Sequence, residues 1–184
     1  MSGSVPVTEW PLTVASARVG PRPVTVADEP GEAVRTALAR RFDILGIDEL
    51  AAEVTLRRLT DGDIAAVAQL SARLRQACVV TLEPVEETVA VTVEGRFSER
   101  VAETADDGLV TVDPDDETDE PEPIVGGVLD LGEWLAQQLS LAMDPYPRAP
   151  GATIDPAYAA EPDEEPLTHR PFAALARLRK DDES

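Results

Sequence analysis

The chain is poor in the residues that build metal sites, disulfide staples and polar catalytic centres. Cys78 is its only cysteine and His169 its only histidine. An intramolecular disulfide is therefore excluded, and so is a structural zinc site, which needs about four Cys or His ligands. A Ser/His/Asp triad would have to use His169, which lies in an acid- and proline-rich tail. No phosphate-binding loop, nucleophile elbow or H-E-x-x-H helix occurs. Aromatic residues make up 4%, so the core must rest on Val, Leu, Ile and Ala. No apolar run approaches the ~18 residues of a membrane-spanning helix. The opening MSGSVPVTEW has neither the basic region nor the apolar stretch of a secretory signal. These absences predict a cytoplasmic protein with no metal, no cofactor, no membrane contact and no enzymatic activity.

Charge is abundant but uneven. The net charge is −20. Residues 1–102 carry −4 and residues 124–184 carry −6, while residues 103–123 carry −10 with no Lys or Arg. Half of the net charge thus sits in one internal run. Such a chain is repelled by phosphate backbones and attracted to basic proteins. The run lacks the spacing of a calcium-binding EF-hand loop. It has little to bury and is expected to stay mobile. Its reading is either a solvated loop or a strip that attracts a basic protein, with Asp113, Asp115, Asp116 and Glu117 as candidate contacts.

The 184 residues suggest one domain plus tails. Residues 1–150 are expected to form the domain, with residues 103–123 as an acidic insertion, and residues 151–184 a linker and C-terminal peptide. WPLTVAS at residues 10–16 reads as a strand, and Gly20, Pro21 and Pro23 mark a turn. From Glu32 the period becomes helical, with Val34, Leu38, Phe42 and Leu45 on one stripe between Pro30 and Gly46. Residues 51–59 read as a strand, followed by a turn at Asp61, Gly62 and Asp63. Residues 64–82 then alternate: Leu70, Ala72, Leu74, Gln76 and Cys78 share one parity, and Ser71, Arg73 and Arg75 the other. The same stretch would also suit a helix by propensity. Alternation resumes after Pro84 with Val89, Val91, Val93, Gly95 and Phe97. Leu131, Leu135, Leu139 and Ala142, widened by Trp134 and Leu141, predict a second helix capped by Asp130 and stopped by Pro145 and Pro147. The fold class is α+β: an antiparallel meander with two packed helices.

The parity of Cys78 places it among buried residues, so it reads as a small hydrophobe. Glu83, Glu86 and Glu87 surround Pro84 in a turn, where carboxylates are usually solvated. A hydrolase or nuclease using them is the weakest reading. Tyr146 stands between two prolines in DPYPR, at residues 144–148. That turn either presents Tyr146 and Arg148 together or packs the tyrosine on the core. RPFAALARLRK, at residues 170–180, has the pattern of a basic amphipathic peptide through Phe172, Leu175 and Leu178. It docks either in the groove of a partner or on its own domain.

Three blocks carry a family resemblance: CVVTLEPV at residues 78–85, DLGE with a Gln-Leu helix and DPYPR at residues 130–148, and PFAALARL near the end. Their order resembles the YceD family, in the form found in alphaproteobacteria. The positions carried by the likeness are Cys78, Leu82, Glu83, Asp130, Leu131, Gly132, Gln138, Leu139, Asp144 and Pro145, with Tyr146 to Arg148. Many family members have a Cys-x-x-Cys pair in the first block. Here Val79, Val80 and Thr81 follow Cys78, so a metal or redox role does not carry over. The resemblance implies a bacterial factor for accumulation of large-subunit ribosomal RNA and subunit assembly. Genes of the family often neighbour that of a small large-subunit ribosomal protein, which suits an acidic partner for a basic protein. The expected partner is thus a basic ribosomal protein or a large-subunit precursor, with no oligomeric state implied. The alternative is an RNA-processing accessory protein that touches ribosomal RNA through Arg73, Arg75 and Arg96. Direct RNA contact is the less favoured of the two.

Overall fold

The computed structural model describes residues 8–100 and 121–154. Asp113, Asp115, Asp116 and Glu117 of the acidic run, and Phe172, Leu175 and Leu178 of the C-terminal peptide, lie outside the described residues. The chain divides into two units, Met1–Pro150 and Gly151–Ser184, and every element named below belongs to the first. In chain order these are β1 (Thr13–Ala15), a 3-10 turn (Ser16–Arg18), β2 (Val24–Asp28), α1 (Glu32–Arg41), β3 (Gly46–Arg58), β4 (Ile64–Ala77), β5 (Pro84–Ser98), β6 (Glu122–Pro123), β7 (Val128–Asp130) and α2 (Leu131–Ala142).

Period-two alternation, not helix propensity, decides the centre of the molecule. AQLSARLRQA is strand because β4 is hydrogen-bonded on both sides, to β3 and to β5. Burying every second residue satisfies both ladders and the core at once. Ile64, Ala66, Ala68, Leu70, Ala72, Leu74 and Gln76 are buried. The other parity, including Val67, Gln69, Ser71 and Arg73, faces solvent. The antiparallel meander β2-β3-β4-β5 follows, with β6 added in parallel at its far side. A second, two-stranded ribbon pairs β1 with β7.

One core cluster unites Leu38 and Ala39 of α1, Leu131, Trp134, Leu135 and Leu139 of α2, and the buried parity of the sheet. Two close approaches seat α2. A Cβ on Gly132 would lie 1.7 Å from the Trp10 carbonyl oxygen, and one on Gly95 would lie 2.7 Å from Trp134 Cζ2. Only glycine lets the chain and the indole come that near. The Trp134 ring also meets Phe97 edge-on at 5.7 Å. Asp130 caps α2 as its position predicts, accepting the Glu133 N–H at 3.0 Å. Arg41 at the end of α1 donates two bonds of 2.6 Å to Glu133, tying the helices together.

Several expectations need correction. α1 stops at Arg41, Asp43 takes φ 55°, and Leu45 leaves the helical stripe to lie exposed. Its N–H bonds to the Arg75 carbonyl instead. Leu141 projects from α2 into solvent and widens nothing. The first strand is shorter than residues 10–16, because β7 supplies partners only for Thr13 to Ala15. β2 is an additional strand, and β3 begins before residue 51.

Candidate functional site

The β4–β5 connection is closed by a segment from beyond α2. Val79 donates its N–H to the Pro147 carbonyl at 2.9 Å, and Cys78 donates to the Glu83 carbonyl at 2.8 Å. The Cys78 sulphur is buried and accepts three backbone N–H groups: Ala149 at 3.3 Å, and Val80 and Thr81 at 3.4 Å. Gln76 Nε2 donates to Glu87 at 2.7 Å and to the Asp144 carbonyl at 3.0 Å. Glu87 in turn accepts the Asp144 N–H at 2.9 Å. Asp144 Oδ1 accepts the Tyr146 N–H at 2.8 Å, which makes a tight Asx turn. Two blocks far apart in sequence thus form one knuckle with Cys78 at its centre.

Electrostatics agree with that geometry. The Ala149 N–H, then the Thr81 hydroxyl and N–H, draw the Cys78 thiol down to about 6, against the opposing effect of burial. Cys78 is therefore buried, as its parity predicts, but it acts as an acceptor and not only as a small apolar body.

The knuckle turns apolar side chains outward. Leu82 is 76% exposed and Tyr146 72% exposed, with Val79 beside the turn also exposed. Leu82 holds a left-handed backbone, φ 62°. Such a conformation is uncommon for a residue with a Cβ and costs on the order of 1–3 kcal/mol. Glu83, Glu86, Asp144, Pro145 and Arg148 are exposed around it. Of the other positions carried by the resemblance, Leu131, Gly132 and Leu139 are core, Asp130 is a cap and Gln138 is half-buried.

The remaining candidates fall elsewhere. Glu87 is committed to Gln76 and Asp144 and does not form an acid–base pair with Glu83 or Glu86. No group of three metal-ligating side chains occurs among the described residues. Arg73, Arg75 and Arg96 share the open face of the sheet, but each is held by a carboxylate: Arg73 by Glu49, Arg75 by Asp48, and Arg96 by Asp61 and Asp63. Burial pushes the Asp63 carboxyl up. The Ser98 hydroxyl and the Arg96 and Arg100 guanidinium groups outweigh it, and the net shift is downward. Sequence reasoning missed the Gln76–Glu87–Asp144 link and the left-handed Leu82. Neither had a signal in the sequence: Glu87 and Asp144 are 57 residues apart, and nothing in the residues around Leu82 marks a left-handed backbone.

Fold and site together define a small α+β protein whose most distinctive feature is a structured, partly apolar surface knuckle. The chain belongs to the YceD family: the family described as large ribosomal RNA subunit accumulation protein YceD matches residues 66–179, more than half of the chain. The matched stretch contains the whole knuckle. The family's name ties it to accumulation of large-subunit ribosomal RNA and not to a reaction. No curated protein and no solved structure matches the chain. No helix among the described residues is long and apolar enough to cross a membrane.

Proposed function

We propose that this chain is a non-enzymatic, cytoplasmic factor that supports large-subunit ribosomal RNA accumulation by binding a basic ribosomal protein or a large-subunit precursor through the knuckle. One observation carries the reading: two distant blocks are tied together around Cys78, yet Leu82 and Tyr146 at their junction are left uncovered. The Leu82 N–H donates to the Cys78 carbonyl at 2.9 Å and holds a strained leucine that buries little of its side chain at home. A partner that covers it gains the apolar burial that offsets the strain. Exposed Glu83, Glu86 and Asp144 give the rim an acidic character, and the net charge of −20 steers a basic partner toward it. The ribosomal-RNA-contact alternative has less support, because Arg73, Arg75 and Arg96 are each neutralised by a neighbouring carboxylate.

The test is the double variant Leu82→Ser with Tyr146→Ala, compared with the parent for co-sedimentation with large-subunit precursors. Both side chains are exposed, so thermal stability should hold while co-sedimentation falls about tenfold or more, as expected when anchor residues are lost. Unchanged co-sedimentation would overturn the reading.

A further inference from the structure

β5 is bonded to β4 along its whole length, from Ala77↔Pro84 to Ile64↔Phe97, without a register shift. On its other side, pairing among the described residues is confined to Phe97 and Ser98, which meet β6. The outer backbone of residues 85–96 is therefore a row of donors and acceptors with no strand beside it among the described residues. Protected edges carry Lys, Pro or a bulge along the open span. Here the middle, Thr88 through Val93, is an uncharged alternation of Val, Thr and Ala. Along β5 the open face carries Glu86 and Glu94, one toward each end of this stretch, both exposed and neither in an ion pair among the described residues. Glu87, next to Thr88, has the other parity and is held by Gln76 and Asp144. Arg73 and Arg75, opposite Thr88 and Glu86 on β4, are already paired with Glu49 and Asp48.

We propose that this edge receives an extended lysine- or arginine-bearing segment of another protein as an added strand. Main-chain bonds to β5 would supply affinity, and Glu86 and Glu94 would select for positive charge on residues directly opposite. A second copy of the chain is a poorer occupant. Antiparallel self-pairing centred on Ala90 sets Glu86 against Glu94 at both ends, and each copy carries −20 overall. This inference does not depend on the knuckle reading.

The experiment uses the full chain and two end-blocked peptides. One is Lys-Val-Thr-Val-Thr-Val-Thr-Val-Lys; the other carries Glu at both ends. Each is read by fluorescence anisotropy and by amide hydrogen exchange. The palindromic peptide sets Lys opposite both glutamates in either strand direction. The lysine peptide should bind about tenfold tighter than the glutamate peptide, since two cross-strand pairs change from repulsive to attractive. It should slow exchange at Thr88 to Val93. Glu86→Lys with Glu94→Lys should reverse the preference. If that variant fails to fold, Thr92→Lys alone should weaken the lysine peptide. Equal affinity for the two peptides, or protection confined to other strands, overturns the proposal. So does full protection of the outer β5 amides without peptide, which would mean that the chain or a second copy already covers the edge. A concentration-dependent dimer that the peptide fails to dissociate also overturns it.

Discussion

Gly132 and Gly95 show how single atoms set the position of α2. In an exposed helix, Gly→Ala is stabilising by about 1 kcal/mol. At Gly132 the added carbon would sit 1.7 Å from a backbone oxygen, and backbone cannot swing away as a side chain can. The clash wins, and Gly132→Ala should destabilise by about 3 kcal/mol or more. Gly95→Ala meets the edge of the Trp134 ring, which can tilt, so a smaller loss of about 1–3 kcal/mol is expected. Urea denaturation of the pair checks the order. Cys78 permits a second test. Its folded thiol titrates near 6, below the unfolded value of ~8.5. Its contribution is therefore complete above the unfolded value and fades as pH falls through the folded one. Cys78→Ala should lower the melting temperature more at alkaline pH than at about pH 6, and parallel pH profiles would mean that the sulphur is held as a neutral thiol. The burial of Cys78 was legible from parity alone. Its three donors were not: Val80 and Thr81 face it only through the turn the chain makes there, and Ala149 reaches it only after the chain has passed through β5 and α2.

At the scale of elements, the sequence was most readable where alternation was long. β4 holds its parity throughout and β5 holds it as far as Phe97; the predicted core side is buried in β4 and buried or half-buried in β5. β2 was missed because five residues, VTVAD, offer little periodicity, and its identity comes from pairing with β3. Leu45 and Leu141 mislead for a common reason: spacing places a residue on a stripe but does not say where the neighbouring layer ends. α1 terminates before Leu45, and no described strand reaches Leu141. The contrast is measurable within α2. Leu135 is fully buried, and Leu135→Ala should cost about 2–5 kcal/mol. Leu141→Ala should stay within about 0.5 kcal/mol, since it removes a side chain that already faces water. Comparable losses at both positions would mean that something covers Leu141 in solution.

At the scale of the molecule, the proposed binding assigns two features different work. On that proposal the acidic run would act at a distance, and the knuckle at contact. Charges far from the interface change how often partners meet, so their effect appears in the association rate and shrinks as salt shortens the screening length to about 10 Å or less. Side chains that fill a partner's pocket change how long the complex lasts. Neutralising Asp113, Asp115, Asp116 and Glu117 to Asn or Gln should therefore slow association with large-subunit precursors at low salt. At high salt, that variant should converge on the parent. Leu82→Ser with Tyr146→Ala should instead speed dissociation at every salt concentration, because removing exposed apolar groups leaves the net charge of −20 unchanged. Surface-immobilised precursor particles, with the two rates measured across a salt series, separate the cases. If the charge variant changes only dissociation, the acidic run makes short-range contacts and belongs to the binding surface itself. If the knuckle variant dissociates as the parent does, Leu82 and Tyr146 are not anchors, and their exposure must be explained without a partner.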